Sequence, residues 1–183
     1  MKKVGIIGGG AMGSGIAQVA ATAGHSVVLF DTKADALNLS KSKLAKVMAR
    51  LVEKEKLTFE VAEAIQGRIS YADNLEAIAE SGIIIEAIVE NLDIKKSVFS
   101  SVEKLVSADC ILASNTSSLS IASIASACNK AERVIGVHFF NPAPLMPLVE
   151  IIPAVQTSKT TLNNTKSIID SWGKVTVIAK DTP

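Results

Sequence analysis

The sequence predicts an α/β fold: a doubly wound, mostly parallel β-sheet with helices on both faces. Three observations carry this. Short β-branched apolar runs alternate with longer helical patterns. The runs are apolar at nearly every position, as in strands covered on two sides. The first run ends in a glycine cluster that opens a helix.

Residues 3–8 (KVGIIG) form the first such run and predict a buried strand. Residues 11–23 have helical composition and stop at Gly24, a residue suited to a left-handed helix end. Residues 26–31 (SVVLFD) predict a second strand, followed by a long charged helix over residues 33–56. A shorter helix follows, with Thr58 as N-cap and Gly67 just past its end. Further strands are expected at 83–88, 111–114, 134–139, 148–152 and 174–178. Between them, Asn91 caps a helix whose apolar face includes Val98, Phe99, Val102, Leu105 and Val106. Two more helices are expected at 119–127 and 160–172. No internal repeat, low-complexity segment or long linker divides the chain.

A chain of 183 residues that is 48% hydrophobic suffices for one domain with a core that needs no disulfide or metal. A net charge of +1 argues against a nucleic-acid partner. Cys110 and Cys128 have no spacing that reads as a zinc or redox motif, and a reducing, cytoplasmic compartment is the simplest expectation. The start, Met1-Lys2-Lys3 before an apolar stretch, superficially resembles a secretory signal, but the glycines between Gly5 and Gly15 suit a different purpose. Glu86 interrupts the longest apolar run, so no membrane span of roughly 20 residues is expected.

That purpose lies in Gly8-Gly9-Gly10-Ala11-Met12-Gly13, where Gly8, Gly10 and Gly13 fill the G-x-G-x-x-G spacing. The first glycine permits a tight turn, the second a close approach of backbone to a diphosphate, and the third close packing of helix on strand. Ala11 and Met12 lie in the same phosphate-facing stretch, where amides at a helix start meet negative charge. Asp31 ends the second strand, where a carboxylate accepts the adenosine ribose hydroxyls and repels a 2′-phosphate. This Rossmann-type pattern predicts a dinucleotide cofactor, NAD rather than NADP, although flavoproteins share it and Lys33 stands nearby. The alternative is glycines kept for packing, with Asp31 merely ending a strand. The absence of a Lys after the glycines excludes a Walker-type loop.

His138 ends a predicted strand at the sheet edge where such folds bind ligands, and imidazole exchanges protons near neutral pH. Beyond a proline-rich bend, Glu150 sits in an apolar strand, where a carboxylate requires a partner, and His138 is a candidate if the chain folds back. A packed core histidine is the competing reading of His138. His25, after Gly24 in a turn, is expected to be exposed. The run Ser114-Asn115-Thr116-Ser117-Ser118 either caps the helix expected near Leu119 or faces cofactor and substrate, and both roles are compatible.

The phrases GIIGGGAMGSGIAQVAATAGHSVVLFD, IIEAIVENLDIKKSVF, ASNTSSLSI, VHFFNPAPLMPLVEII and KDTP together resemble the 3-hydroxyacyl-CoA dehydrogenase family, short-chain 3-hydroxybutyryl-CoA type, over essentially the whole chain. The resemblance implies that His138 is the catalytic base and Glu150 its charge partner. It implies that Ser117 and Asn141 surround the nicotinamide and the substrate's 3-oxygen, with Asn115 beside them. It implies that Glu90 and Lys95 contact the cofactor on its nicotinamide side. Their alternatives are support of a helix start and a solvated surface charge. Lys43, Lys46, Arg50 and Lys54 share a helix face, and only Lys54 matches a contact to the CoA phosphates, a solvated face being the alternative. Ser117 also falls at a substrate-contacting position.

Two departures stand out. Pro147 occupies a position where the family commonly has Lys, and the sequence stops at Pro183. In the family, Asp-Thr-Pro leads into a helical second domain that supplies dimer contacts, a cleft wall and another active-site Asn. Residues 1–183 are thus expected to be the NAD-binding domain, with the substrate and dimerisation domain absent and a full-length homo-oligomer formed through it. The expected reaction is reversible oxidation of (S)-3-hydroxyacyl-CoA to 3-ketoacyl-CoA. The rivals are a catalytically silent dinucleotide-binding module and a related β-hydroxyacid or prephenate-type dehydrogenase.

Overall fold

The computed structural model describes residues 3–182; Met1, Lys2 and Pro183, and with them part of the signal-like start and the end of KDTP, lie outside the described residues. The elements in order are β1 (Val4–Ile7), α1 (Ala11–Thr22), β2 (Val27–Phe30), α2 (Ala34–Glu53), α3 (Phe59–Gly67), β3 (Ile69–Ala72), β4 (Ile83–Glu86) and α4 (Leu92–Leu105). Then follow β5 (Ile111–Ser114), α5 (Ile121–Ala125), β6 (Val134–Phe139), β7 (Leu148–Pro153), α6 (Lys159–Ser171) and β8 (Val175–Ile178). The eight strands form one sheet in the order β3-β2-β1-β4-β5-β6-β7-β8, parallel throughout except at β6–β7. The doubly wound α/β class is as expected. No helix among the described residues is long and apolar enough to cross a membrane.

Strand side chains alternate between two cores. Val4, Ile6, Ile83 and Ile85 join one core with residues of α1, α2, α3 and α6. Ile7, Ile84 and Leu112 join the other with Phe99, Val102 and Ile124 from α4 and α5. Both faces of the central strands are therefore dry, which is why these runs are apolar at successive positions. From β1 the chain winds outward to β2 and β3, then returns to β4 on the other side. A crevice opens at that reversal, beyond the carboxyl ends of β1 and β4.

Several boundaries and one strand differ from the sequence expectations. β3 was not anticipated: its ISYA segment has a burial pattern that fades after Ile69, so it carries no apolar run. Helix α2 ends at Glu53, and Gly67 is the last residue of α3 rather than the one after it. Thr58 and Asn91 cap α3 and α4 as expected, accepting from Val61 N–H at 3.3 Å and Ile94 N–H at 3.0 Å. The helix expected from residue 119 starts at Ile121, and its cap is Ser120 rather than the preceding serine run. Asp181 reinforces it, accepting from Ile121 N–H at 2.7 Å and Ala122 N–H at 2.8 Å.

His25 is not exposed. The turn after α1 tucks beneath the end of α6, leaving His25 8% accessible with its ring edge-on to Trp172 at 5.6 Å. A later helix covers this turn, so the polar turn residues alone gave the wrong environment.

Candidate active site

The glycine turn is shaped by backbone packing. Gly8 has φ +112°, and a Cβ there would stand 2.5 Å from the Ala87 carbonyl oxygen. A Cβ on Gly13 would stand 1.8 Å from the Gly8 carbonyl oxygen, so α1 seats on the turn only without a side chain. Gly10 faces open space and is the N-cap of α1, which has no side-chain cap and no acidic residue in its first turn. Ala11 and Met12 follow as the first helical residues, and first-turn amides have no partner within a helix. The start of α1 thus presents donors and the positive end of its dipole to whatever occupies the crevice, a setting that fits a diphosphate.

A cleft of about 390 Å³ runs from this turn past Asp31, Thr32 and Lys33, with Ile88 and Val89 on its other wall. Asp31 braces its own site: Oδ2 accepts from Gly9 N–H at 2.7 Å and Oδ1 from Lys33 N–H at 2.9 Å. A carboxylate has about four acceptor positions, so capacity remains for ribose hydroxyls. An apolar wall, a terminal carboxylate and a glycine turn at an uncapped helix start fit an adenine dinucleotide.

A second cleft, of about 310 Å³, meets the first where both are lined by Ala87 and Ile88. Met12, Glu90, Lys95, Asn115, Ser117, His138 and Asn141 all line it. The antiparallel pairing of β6 with β7 sets His138 directly opposite Glu150, with Nδ1 and Oε2 2.8 Å apart. Such cross-strand partners lie on one face by the strand period, so the register itself makes the pair. The pair is partly open, His138 at 18% and Glu150 at 32% side-chain accessibility. Phe140 packs on the imidazole at 4.7 Å, and Asn115 Oδ1 accepts from Phe139 N–H at 2.9 Å, tying β5's end to β6's end.

Along the second cleft lies a charge cluster, buried at Glu86 and Lys95 and open at Glu90. Lys95 is not a solvated surface charge: it is 1% accessible, with Nζ 2.5 Å from Glu86 Oε1 and 3.4 Å from Glu90 Oε2. Glu86, the fully buried last residue of β4, also accepts from Ile88 N–H and from Ser114 Oγ, each at 2.7 Å. Glu90 accepts from the Thr116 hydroxyl and from Ser117 N–H at 3.1 Å. Burial would raise the Glu90 carboxyl's pKa, but the hydrogen bond from Thr116, the Lys95 charge and the Ser117 amide outweigh it and hold the group below its ordinary 4.5. Glu90 therefore organises the 116–118 loop rather than the start of α4, which Asn91 caps.

The sequence reasoning treated Glu86 only as an interruption of an apolar run. The signal that singled out Glu150, a carboxylate in an apolar strand, applies equally to Glu86 and would have found it. Lys54 is the exposed residue closing α2 and lines neither cleft. The exposed Lys43, Lys46 and Arg50 likewise lie outside both.

Residues 3–182 match the model of a family described as 3-hydroxyacyl-CoA dehydrogenase, NAD binding domain. A probable 3-hydroxybutyryl-CoA dehydrogenase of Deinococcus radiodurans is 42% identical over 99% of this chain and 65% of its own length. The mitochondrial hydroxyacyl-coenzyme A dehydrogenase of Sus scrofa is 41% identical over 100% of this chain and 60% of its own. Among solved structures, (S)-3-hydroxybutyryl-CoA dehydrogenase from Ralstonia eutropha is similar with a TM-score of 0.97 and 38% identity, covering 100% of this chain and 65% of that one. The chain thus spans 60–65% of the length of these relatives. It belongs to the 3-hydroxyacyl-CoA dehydrogenase family, whose NAD-binding domain it matches from end to end of its described residues.

Proposed function

We propose that this chain is the cofactor-binding and proton-transferring part of an enzyme that reversibly oxidises short-chain (S)-3-hydroxyacyl-CoA, such as 3-hydroxybutyryl-CoA, to the 3-ketoacyl-CoA. The observation that carries this reading is the His138–Glu150 pair, 2.8 Å apart, with His138 lining a cleft that meets the glycine-turn cleft. Bound NAD supplies a nicotinamide ring that takes up or returns a hydride. Glu150 engages Nδ1, which fixes the imidazole tautomer and leaves Nε2 to accept the substrate's hydroxyl proton. The same carboxylate steadies the imidazolium that results. Ser117 and Asn141, on the rim of this cleft, are assigned to the substrate's 3-oxygen and the nicotinamide, with Asn115 alongside.

Gly8, Gly10, Ala11, Met12 and Gly13 hold the diphosphate, and Asp31 the adenosine ribose. Glu90 and Lys95 form the wall beside the nicotinamide. Lys54 is assigned to the CoA phosphates, on the family resemblance and its exposure. The helical domain that the family resemblance implies, outside residues 1–183, would close the substrate cleft and form a homo-oligomer, and the additional length of the relatives leaves room for it. A cytoplasmic location is part of the same reading.

The test is reduction of acetoacetyl-CoA by NADH in the protein that contains this chain. His138→Gln is expected to lower turnover by about 10²–10⁴-fold, the range of acid–base catalysis, with NADH affinity retained. Equal loss of turnover and NADH binding would show that His138 supports the fold rather than the reaction. Turnover of free hydroxy acids in preference to CoA thioesters would transfer the chain to a β-hydroxyacid dehydrogenase.

A further inference from the structure

The charges beside the His138 cleft do not balance. Glu86 and Glu90 share the single ammonium of Lys95, at 2.5 and 3.4 Å. Two carboxylates against one ammonium leave one net negative charge. The other titratable residue lining the cleft is His138, whose Nδ1 engages Glu150 at 2.8 Å, a pair that substitutions in the cluster leave in place. Glu86 itself does not line the cleft, and the proton-transfer reading assigns it no part. It is nonetheless fully buried and fixed by three donors: Ile88 N–H, Ser114 Oγ and Lys95 Nζ.

A buried charge held this firmly is costly unless it is compensated. Compensation here stops one charge short, and it does so on the wall assigned to the nicotinamide. The oxidised ring carries one positive charge and the reduced ring none. A fixed negative charge beside it therefore acts on one redox form and not on the other. Because burial fixes Glu86 and Lys95, and hydrogen bonds from Thr116 and Ser117 fix the more exposed Glu90, the field is present before the cofactor arrives.

We propose that the Glu86–Lys95–Glu90 cluster selects the redox form of the cofactor, its surplus negative charge favouring the oxidised, cationic nicotinamide over the reduced one. The inference rests on the reading that NAD extends from the glycine turn into the His138 cleft. Removing either carboxylate would leave the cluster neutral, and Glu86 is the one that lies off the cleft, so its substitution changes the charge without changing a cleft-lining side chain. Glu86 acts through the field and through the placement of Lys95, without touching the cofactor.

The test measures the affinities of NAD⁺ and NADH by calorimetry on the 183-residue chain. Glu86→Gln keeps the side-chain shape and removes the surplus charge. The ratio of NAD⁺ to NADH dissociation constants is expected to rise about fivefold, the order expected of one charge partly screened by water. A purely structural role would weaken both forms alike or lower the melting temperature, leaving the ratio unmoved. Should Glu86→Gln not fold, Glu90→Gln, at a 37% accessible side chain, removes the same charge and is expected to shift the ratio in the same direction. An unchanged ratio in the folded variant overturns the selector. If the unsubstituted chain binds neither form, the cofactor reading itself fails and the selector falls with it.

Discussion

Gly10 and Gly13 belong to one motif but have opposite duties, and alanine at each separates folding from binding. At Gly13 the added Cβ would sit 1.8 Å from the Gly8 carbonyl oxygen and 3.0 Å from its carbon. Ordinary contact begins near 3.4 Å, so α1 must move off the turn by about 1.5 Å or the turn must reshape. Both neighbours are backbone, and no side chain can yield. Overpacking of this kind costs about 3 kcal/mol, the upper part of its usual range. For a chain of this size that lowers the melting temperature by roughly 6–12 °C. At Gly10 the Cβ meets nothing within 4 Å, and the residue's φ of −70° suits alanine. Gly10→Ala should therefore melt within about 3 °C of the parent, a change of ~1 kcal/mol or less. Its methyl group would instead occupy the space assigned to the diphosphate. Losing one charge-assisted hydrogen bond there weakens NADH binding about ten- to a hundredfold. Thermal melting by circular dichroism and NADH calorimetry on both variants give the four numbers required. If Gly13→Ala melts like the parent, or Gly10→Ala binds NADH like the parent, this division of labour is refuted.

Two further outcomes follow from the same geometry. Asp31→Asn keeps one acceptor oxygen but loses the charge, so the turn should loosen by about 1.5–3 kcal/mol while NADPH gains on NADH; an unchanged ratio of the two affinities would remove Asp31 from the discrimination. Glu90 is held below its ordinary 4.5 in the folded chain, so its contribution to stability is present above that value and is lost as pH falls through the lower folded value. Acid titration monitored by fluorescence should show Thr116→Val losing stability at a higher pH than the parent, because the strongest donor to Glu90 is gone; coincident acid transitions would contradict this.

The parts of the fold visible in the sequence are those that depend on local pattern. Central strands such as Ile83–Glu86 and Ile111–Ser114 are covered on both faces, and their apolar runs say so. Thr58 and Asn91 cap their helices through contacts three residues away, a range a sequence reader can survey. What escaped depends on segments far apart in the chain. Strand β3 is a half-exposed edge whose pairing with β2 supplies its regularity, and α5 takes its second cap from Asp181, 60 residues on. His25 looked like a turn residue because Trp172, which covers it, is supplied by the end of α6.

The candidate site divides in the same manner, for a physical reason. Glu86, Ser114 and His138 each stand at or near the carboxyl end of an apolar strand, β4, β5 and β6. An apolar run closing on a polar residue marks the point where the sheet stops being dry, and in a doubly wound sheet that edge is the binding crevice. This is why His138 and the run beginning at Ser114 could be proposed from sequence, and why Glu86 could have been by the same rule. The partner of each is another matter. His138 meets Glu150 only because the bend at residues 140–147 returns β7 in one register; a slip of one residue would turn Glu150 to the opposite face. Lys95 reaches Glu86 because α4 starts over the end of β4 and directs its fourth residue inward, where two carboxylates compensate an ammonium that would otherwise be excluded from the interior. The strand ends locate the chemistry, and the returning segments decide which charges are paired and which remain in surplus.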